Sequence, residues 1–156
     1  MSSIETVEEV LEKLDLRLPE PAKPVASYIP SVRTGNLVFI SGQGPIEDGG
    51  YKYIGKVGSD LTLEEGYDAA RHVALNCLSV LKQEIGDLKK VKRIVKLLAW
   101  VNSAPGFNQQ PKVINGASDL LQAVFGENGR HARSAVAANE LPFDIPVEIE
   151  MVVEVE

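Results

Sequence analysis

Two long segments of the chain repeat apolar residues at helical spacing. The stripe of the first segment consists of Tyr67, Ala70, Val73, Ala74, Cys77, Leu78, Leu81 and Ile85. The stripe of the second consists of Val113, Ala117, Leu120, Leu121 and Val124, and Pro111 suits its first turn. Stripes of this kind bury one face of a helix. The pattern therefore predicts two long helices, the first opening near Leu61 and ended by Gly86, the second ended at 126–129.

Five segments have the apolar content of strands, at residues 25–33, 37–41, 91–101, 132–138 and 146–155. The first two flank Thr34-Gly35-Asn36, which predicts a hairpin. The third is apolar except at Lys92, Arg93 and Lys96 and is predicted to be central. Gly42-Gln43-Gly44-Pro45 is expected to break the second strand, and the glycine-rich stretch 46–60 predicts a surface loop.

A shorter helix is predicted over about 3–15, because apolar residues recur there at helical spacing and Ser2 with Glu5 has the pattern of a capping box. Three prolines, at positions 19, 21 and 24, then predict an extended connector. We therefore divide the chain into an N-terminal helix and connector, 1–24, and a main domain, 25–156. The helix either covers the core of that domain or docks on a neighbouring subunit.

The predicted order of elements is α, β, β, α, β, α, β, β, which gives an α+β fold with two long helices on one face of a mixed sheet. The opposite face also carries apolar side chains, for example along Leu37–Ile40 and Leu97–Val101. One domain supplies no third layer to cover them. We therefore expect subunits to pack sheet against sheet in an oligomer.

Composition is that of an ordinary globular protein: of 156 residues, 44% are hydrophobic and 24% charged, and the net charge is −6. The acidic balance argues against a nucleic-acid partner. The single cysteine, Cys77, excludes an intrachain disulfide and fits a reducing compartment. A signal-peptide pattern and a membrane-spanning apolar run are both missing from the sequence. We expect a cytoplasmic protein without a membrane partner.

The familiar cofactor and metal motifs are absent from the sequence: it has no P-loop, GxGxxG, HExxH or CxxC pattern. The two histidines, His72 and His131, lack the spacing and third ligand of a zinc site. Ser41 precedes Gly42 but has no glycine two residues before it, as a nucleophile elbow requires.

Arg133 is the most informative polar residue. It heads a run of small and apolar residues that is predicted to be a buried strand, and its guanidinium cannot lose its charge. Within six residues on either side, Glu127 is the only acid. Arg133 is therefore a candidate anion-binding group, and the alternative is a structural salt bridge across the sheet.

Other polar candidates carry weaker signals. Glu148 alternates with apolar residues in the last strand, and this pattern alone favours a solvated strand face. Tyr28 and Ser41 flank the predicted hairpin and by default are ordinary strand residues. Asn115 is by default a helix-surface amide.

Four motifs, in this order and spacing, resemble the reactive intermediate deaminase family, the Rid or YjgF-like proteins, also labelled L-PSP endoribonucleases. They are Ser41-Gly42-Gln43, Ala132-Arg133-Ser134, Leu141-Pro142 and Val147-Glu148-Ile149-Glu150. The resemblance covers about 25–154 and implies a chorismate-mutase-like fold and a homotrimer with active sites in clefts between subunits. Many members have a cysteine where this chain has Ala135. That difference, the N-terminal helix and a longer loop at 44–61 indicate a longer, less characterised branch.

The resemblance also assigns roles to residues. Arg133 would bind a substrate carboxylate, Glu148 would position water, and the remaining substrate contacts would come from Tyr28, Ser41, Gly42 and Asn115. The implied reaction hydrolyses a 2-imino acid, formed from its enamine, to a 2-keto acid and ammonia without a metal or organic cofactor. The alternative is a non-catalytic or regulatory protein that binds a small carboxylate. Ribonuclease activity is disfavoured by the acidic balance and the lack of a histidine pair.

Overall fold

The computed structural model describes residues 5–21, 23 and 26–156. It confirms the predicted α+β fold, a mixed sheet with two long helices on one face. The helices are α1 (Val7–Lys13), α2 (Leu63–Ile85) and α3 (Gln110–Phe125). The strands are β1 (Ser31–Thr34), β2 (Leu37–Gln43), β3 (Ile46–Glu47), β4 (Gly50–Tyr51), β5 (Val91–Asn102), β6 (Ala132–Ala138) and β7 (Val147–Val155).

The main sheet has the strand order β1-β2-β7-β5-β6. β6 pairs with β5 in parallel, and the other pairings are antiparallel. Alternate residues of β7 are buried against the helices, beginning with Val147 and ending with Val155. This alternation is the period of two that a strand with one covered face requires. The long central strands β5 and β7 thus contribute many residues to the hydrophobic core.

Local sequence signals explain where α2 begins and ends. Thr62 and Glu65 form a capping box, in which each side chain accepts a hydrogen bond from the other residue's backbone N–H. Gly86 ends the helix with φ 87°, a conformation that favours glycine. The two long helices approach closely at Gly116 of α3, where a Cβ would overlap the Tyr67 carbonyl of α2. Only glycine fits at this position.

Several predicted boundaries were wrong. Glu5 and Thr6 are not helical, and the Thr6 hydroxyl accepts a hydrogen bond from the N–H of Glu9 at the start of α1, so the helix begins at Val7 rather than near residue 3. The proposed cap at Ser2 lies outside the described residues. Residues 26–30 form bends rather than the predicted start of β1, and Val25 is not described. β2 continues through Gly42 to Gln43, and the predicted loop 46–60 contains the β3–β4 hairpin.

The N-terminal helix α1 packs on its own domain. Val7 and Leu11 are buried in the hydrophobic core. Glu8 forms an ion pair with Lys82 of α2 at 2.8 Å, and the Ser79 hydroxyl donates to the Pro19 carbonyl in the connector. Of the two alternatives for this helix, the structure therefore favours covering the core of its own chain. The boundary proposed between 24 and 25 stays a prediction.

None of the residues that the structure describes forms a layer over the opposite face of the sheet. Phe39 is 44% exposed and Val136 is 43% exposed, while Leu98, Trp100 and Val152 are half-buried. The strand that carries Arg133 is therefore a half-exposed edge strand, and the predicted burial of this strand was wrong. In the part of the chain that is described, no helix combines the length and apolar character needed to cross a membrane.

We predict that Gly116→Ala destabilises the protein by about 1–3 kcal/mol, because the added methyl group overlaps the Tyr67 carbonyl and forces α2 and α3 apart. Urea unfolding measures this change. Gly50→Ala is the matched control, because a Cβ at Gly50 meets no atom within 4 Å and its φ is not positive. Equal stability of the two variants would show that α2 and α3 do not depend on this close approach.

Candidate functional site

Arg133 extends from β6 towards α3. It lies opposite Leu97 of β5, a fully buried residue on the helix-covered face. Nη1 donates to the Ser118 hydroxyl oxygen at 3.0 Å, and Nη2 donates to the Pro111 carbonyl at 3.2 Å. Both partners belong to α3, so the helix fixes the orientation of the guanidinium.

The charge of Arg133 has no carboxylate partner among the described residues, where the ion pairs involve other side chains. The alternative of a structural salt bridge across the sheet is therefore not supported. A guanidinium has five N–H donors. The contacts with Ser118 and Pro111 use two of them and leave three, enough for the paired hydrogen bonds that a carboxylate accepts.

Asn115 lies on the same face of α3 as the two partners of Arg133. It follows Pro111 by four residues and precedes Ser118 by three, and residues at these spacings are neighbours on a helix. Its side chain is half-buried. The structure therefore brings Arg133 and Asn115 to one region, which we call the arginine cluster: Arg133, Asn115, Ser118 and His131.

His131 extends this hydrogen-bond network beyond Ser118. Its Nε2 lies 2.9 Å from the Ser118 hydroxyl, and its Nδ1 lies 2.7 Å from the Gly129 carbonyl. Burial lowers the pKa of His131, the contact with Gly129 raises it, and the charge of Arg133 lowers it; the net direction is down. The sequence did not indicate Ser118 and His131 as site residues, because nothing in their local pattern shows that α3 and β6 face each other here.

A second group of predicted residues surrounds Glu148. A Cβ at Gly42 would lie 3.0 Å from a carboxylate oxygen of Glu148, so β2 and β7 are close enough here that a side chain at 42 would crowd this carboxylate. The pairing of β2 with β7 is irregular between Ile40 and Gln43, which places this contact at a bulge. The Ser41 hydroxyl donates to the Ile29 carbonyl at 2.8 Å, next to Tyr28, which is 47% exposed.

The electrostatic environment of Glu148 favours its neutral form. Burial raises its pKa, and the neighbouring negative charge of Glu150 raises it further. A carboxylate with a raised pKa is a stronger base, which is the property that proton abstraction from water requires. The alternation of residue types suggested a solvated strand face, but the structure shows that the carboxylate of Glu148 is half-buried.

Two aromatic residues that sequence analysis missed border this group. Tyr51 and Phe143 stack with ring centroids 5.8 Å apart, and a Cβ at Gly44 would lie 3.1 Å from Tyr51 Cε1. Burial raises the pKa of Tyr51, and Tyr28 and Glu148 raise it further. We call this second region the glutamate cluster: Tyr28, Ser41, Gly42, Tyr51 and Glu148.

One chain does not bring the two clusters together. Arg133 lies opposite Leu97 on the helix-covered face, whereas Glu148 lies opposite Trp100 on the other face. β5 also separates their strands in the sheet. A site that uses both side chains therefore requires a second copy of the chain.

The fold and the arginine cluster define a small α+β protein with an unneutralised arginine beside a helix. Residues 8–154 match the sequence model of the family described as "YjgF/chorismate mutase-like, putative endoribonuclease". The chain belongs to this family, as the motifs around Ser41, Arg133 and Glu148 indicated.

Similar proteins match the chain over most of its length. Protein TCP17 of Trypanosoma cruzi is 46% identical over 145 residues, which are 92% of this chain and 91% of that protein. The crystal structure of Atu1372 from Agrobacterium tumefaciens is 42% identical with a TM-score of 0.92, covering 96% of this chain and 92% of that one. The crystal structure of "a putative endoribonuclease" from Shewanella oneidensis is 36% identical with a TM-score of 0.94, covering 97% of this chain and 100% of that one.

We predict that Arg133→Ala moves the pKa of His131 up towards 6.5, because it removes a positive charge that disfavours the imidazolium. NMR titration of the imidazole measures this pKa directly. Arg130→Gln is the control, because Arg130 is exposed and pairs with Glu127.

The same shift sets the sign of a stability change. The folded state disfavours charged His131, so its contribution to stability is fully present above the unfolded-state pKa of 6.5 and is lost as the pH falls below it. Urea unfolding from pH 7.5 to 5 should show this loss in the wild type and less of it in Arg133→Ala. An unchanged His131 pKa in Arg133→Ala would contradict the electrostatic coupling.

Proposed function

We propose that the protein hydrolyses 2-imino acids, formed from their enamines, to 2-keto acids and ammonia. The observation that carries this proposal is Arg133, a half-exposed guanidinium held by two hydrogen bonds to α3 and without a carboxylate partner among the described residues. Such a group is suited to a small carboxylate, which accepts two parallel hydrogen bonds from arginine. Membership of the YjgF-like family supports the proposal.

The proposed active site lies between two subunits of a homotrimer. One subunit supplies Arg133 and Asn115, and its neighbour supplies Glu148, Ser41, Gly42 and Tyr28. Two observations support this arrangement: the clusters lie on opposite faces of the sheet within one chain, and the uncovered face exposes Phe39 and Val136. Contact between sheets of different subunits would cover these side chains and bring the clusters into one cleft.

The proposed chemistry uses no cofactor, because a protonated imine is already electrophilic. Arg133 binds the carboxylate, and Glu148 takes a proton from a water molecule whose oxygen forms a bond with the imine carbon. Glu148 then gives this proton to the nitrogen of the tetrahedral intermediate. The carbon–nitrogen bond breaks as Glu148 takes the proton of the hydroxyl group, so the carbonyl forms and ammonia leaves. Backbone groups at Ser41 and Gly42 orient the nitrogen, and Tyr28 closes the cleft. We place this activity in the cytoplasm and in the domain 25–156.

A second candidate is a protein that binds a small carboxylate without turnover. The separation of Arg133 from Glu148 within one chain favours it, because the arginine cluster alone is sufficient to bind an anion. An amino-acid oxidase that generates the imine in the presence of the protein separates the two candidates. Faster release of ammonia supports hydrolysis, and binding without faster release supports the second candidate.

We predict that Arg133→Ala reduces imine hydrolysis at least 100-fold, because an unpaired substrate carboxylate loses about 3 kcal/mol of charge-assisted hydrogen bonding. Arg133→Lys should also be impaired, since lysine cannot form the paired contact. Ammonia release measures activity, and circular dichroism checks that each variant is folded. Arg130→Ala is the surface-arginine control. A folded Arg133→Ala protein with full activity would reject the proposal.

We predict that subunits of two inactive variants complement each other. Arg133→Ala and Glu148→Gln each disable every site of their own homo-oligomer. In a randomly mixed 1:1 assembly, about a quarter of the sites pair an intact Arg133 with an intact Glu148 from the neighbouring subunit. Ammonia release after mixing and subunit exchange should therefore recover to about a quarter of the wild-type rate. No recovery, despite exchange shown by mass spectrometry, would place both residues in the same subunit's site.

A further inference from the structure

The arginine cluster contains a chain of hydrogen bonds in which chemistry fixes the donor and the acceptor of each bond. Arg133 can only donate, so the Ser118 oxygen accepts from it at 3.0 Å. The Gly129 carbonyl can only accept, so Nδ1 of His131 carries a hydrogen. In the neutral imidazole, Nε2 is then an acceptor, and the Ser118 hydroxyl donates to it at 2.9 Å.

The chain therefore runs from Arg133 through Ser118 and His131 to the Gly129 backbone. Ser118 is 7% exposed, so solvent does not offer its hydroxyl an easy alternative partner. Gly129 has no side chain because the Leu121 carbonyl of α3 occupies that space, so the turn that supplies the acceptor lies directly against the helix. Each end of the chain is thus fixed by backbone: α3 at one end and the turn before β6 at the other.

We propose that Ser118 and His131 are positioning residues that hold the guanidinium of Arg133 in the orientation that receives a substrate carboxylate. The inference rests on the proposed function, because it takes Arg133 as the carboxylate-binding group. His131 fixes the Ser118 hydroxyl hydrogen, so the serine oxygen presents its lone pairs to Arg133. With Nη1 and Nη2 each engaged on α3, the remaining N–H groups point in a defined direction.

Ser118→Ala tests this inference. It removes the acceptor of Nη1 and should raise KM for the imino acid, and Kd for 2-ketobutyrate as a stable carboxylate probe, by about tenfold while kcat changes little. His131→Phe should act in the same direction through the serine. Ser118→Thr keeps the hydroxyl and should restore KM and Kd towards the wild-type values.

Ser79→Ala is the matched control, because Ser79 is a buried helix serine of α2 whose hydroxyl bonds the Pro19 carbonyl. It should leave KM and Kd unchanged, even if it lowers stability. A Ser118→Ala protein with wild-type KM and Kd would overturn the positioning role. So would a rise in KM for Ser79→Ala as large as that for Ser118→Ala.

A ligand-independent measurement separates failure of this inference from failure of the proposed function. ¹⁵N NMR of the imidazole should show the Nδ1–H tautomer in the wild type, with an Nε2 resonance that shifts in Ser118→Ala. The Nε2–H tautomer would overturn the chain of hydrogen bonds whatever the ligand. A wild type that neither binds 2-ketobutyrate nor hydrolyses imines would reject the proposed function, and with it any substrate role for Ser118 and His131, while this tautomer still tests the hydrogen bonds.

Discussion

The helices cover only one face of the sheet, and the rest of the structure depends on this constraint. Alternate residues of β5 and β7 are buried beneath α2 and α3, whereas the side chains between them, including Trp100 and Glu148, face the uncovered side. An apolar surface of this kind is stable when a second molecule removes it from water. The two faces also determine where polar groups lie, because neighbouring residues of one strand point to opposite faces, one covered by helices and one uncovered.

The sequence predicted the helices and most strands well, because their burial repeats with a clear period. It predicted the start of β1 and the exposure of the edge strand β6 poorly. Residues 26–30 are apolar enough for a strand, yet Pro30 has no N–H to donate and lies outside β1. The run after Arg133 suggested a buried strand, but small apolar residues are equally compatible with a half-exposed edge next to β5. Periodicity reports which face is buried and does not report how many neighbours a strand has.

The candidate site shows the same limit at the level of single side chains. Arg133 was identified because an unpaired charge is visible in sequence, and Glu148 was identified by family resemblance rather than by pattern. Ser118 and His131 were not identified, since their roles arise from contacts of α3 with β6 and with the turn before it, between residues 13 and 15 positions apart in the chain. Tyr51 and Phe143 escaped notice because their stacking joins β4 to the turn before β7. Hydrogen-bond direction and ring stacking are tertiary properties that composition does not encode.

The placement of Arg133 and Glu148 on opposite faces also affects a newly synthesised chain. A single chain holds only two separate halves of the proposed site, one basic and one acidic. In the proposed arrangement, association of subunits would complete the site, and dilution would therefore remove activity by mass action. The specific activity would then depend on the protein concentration. Below a threshold concentration, the chains would be present in the cell but inactive.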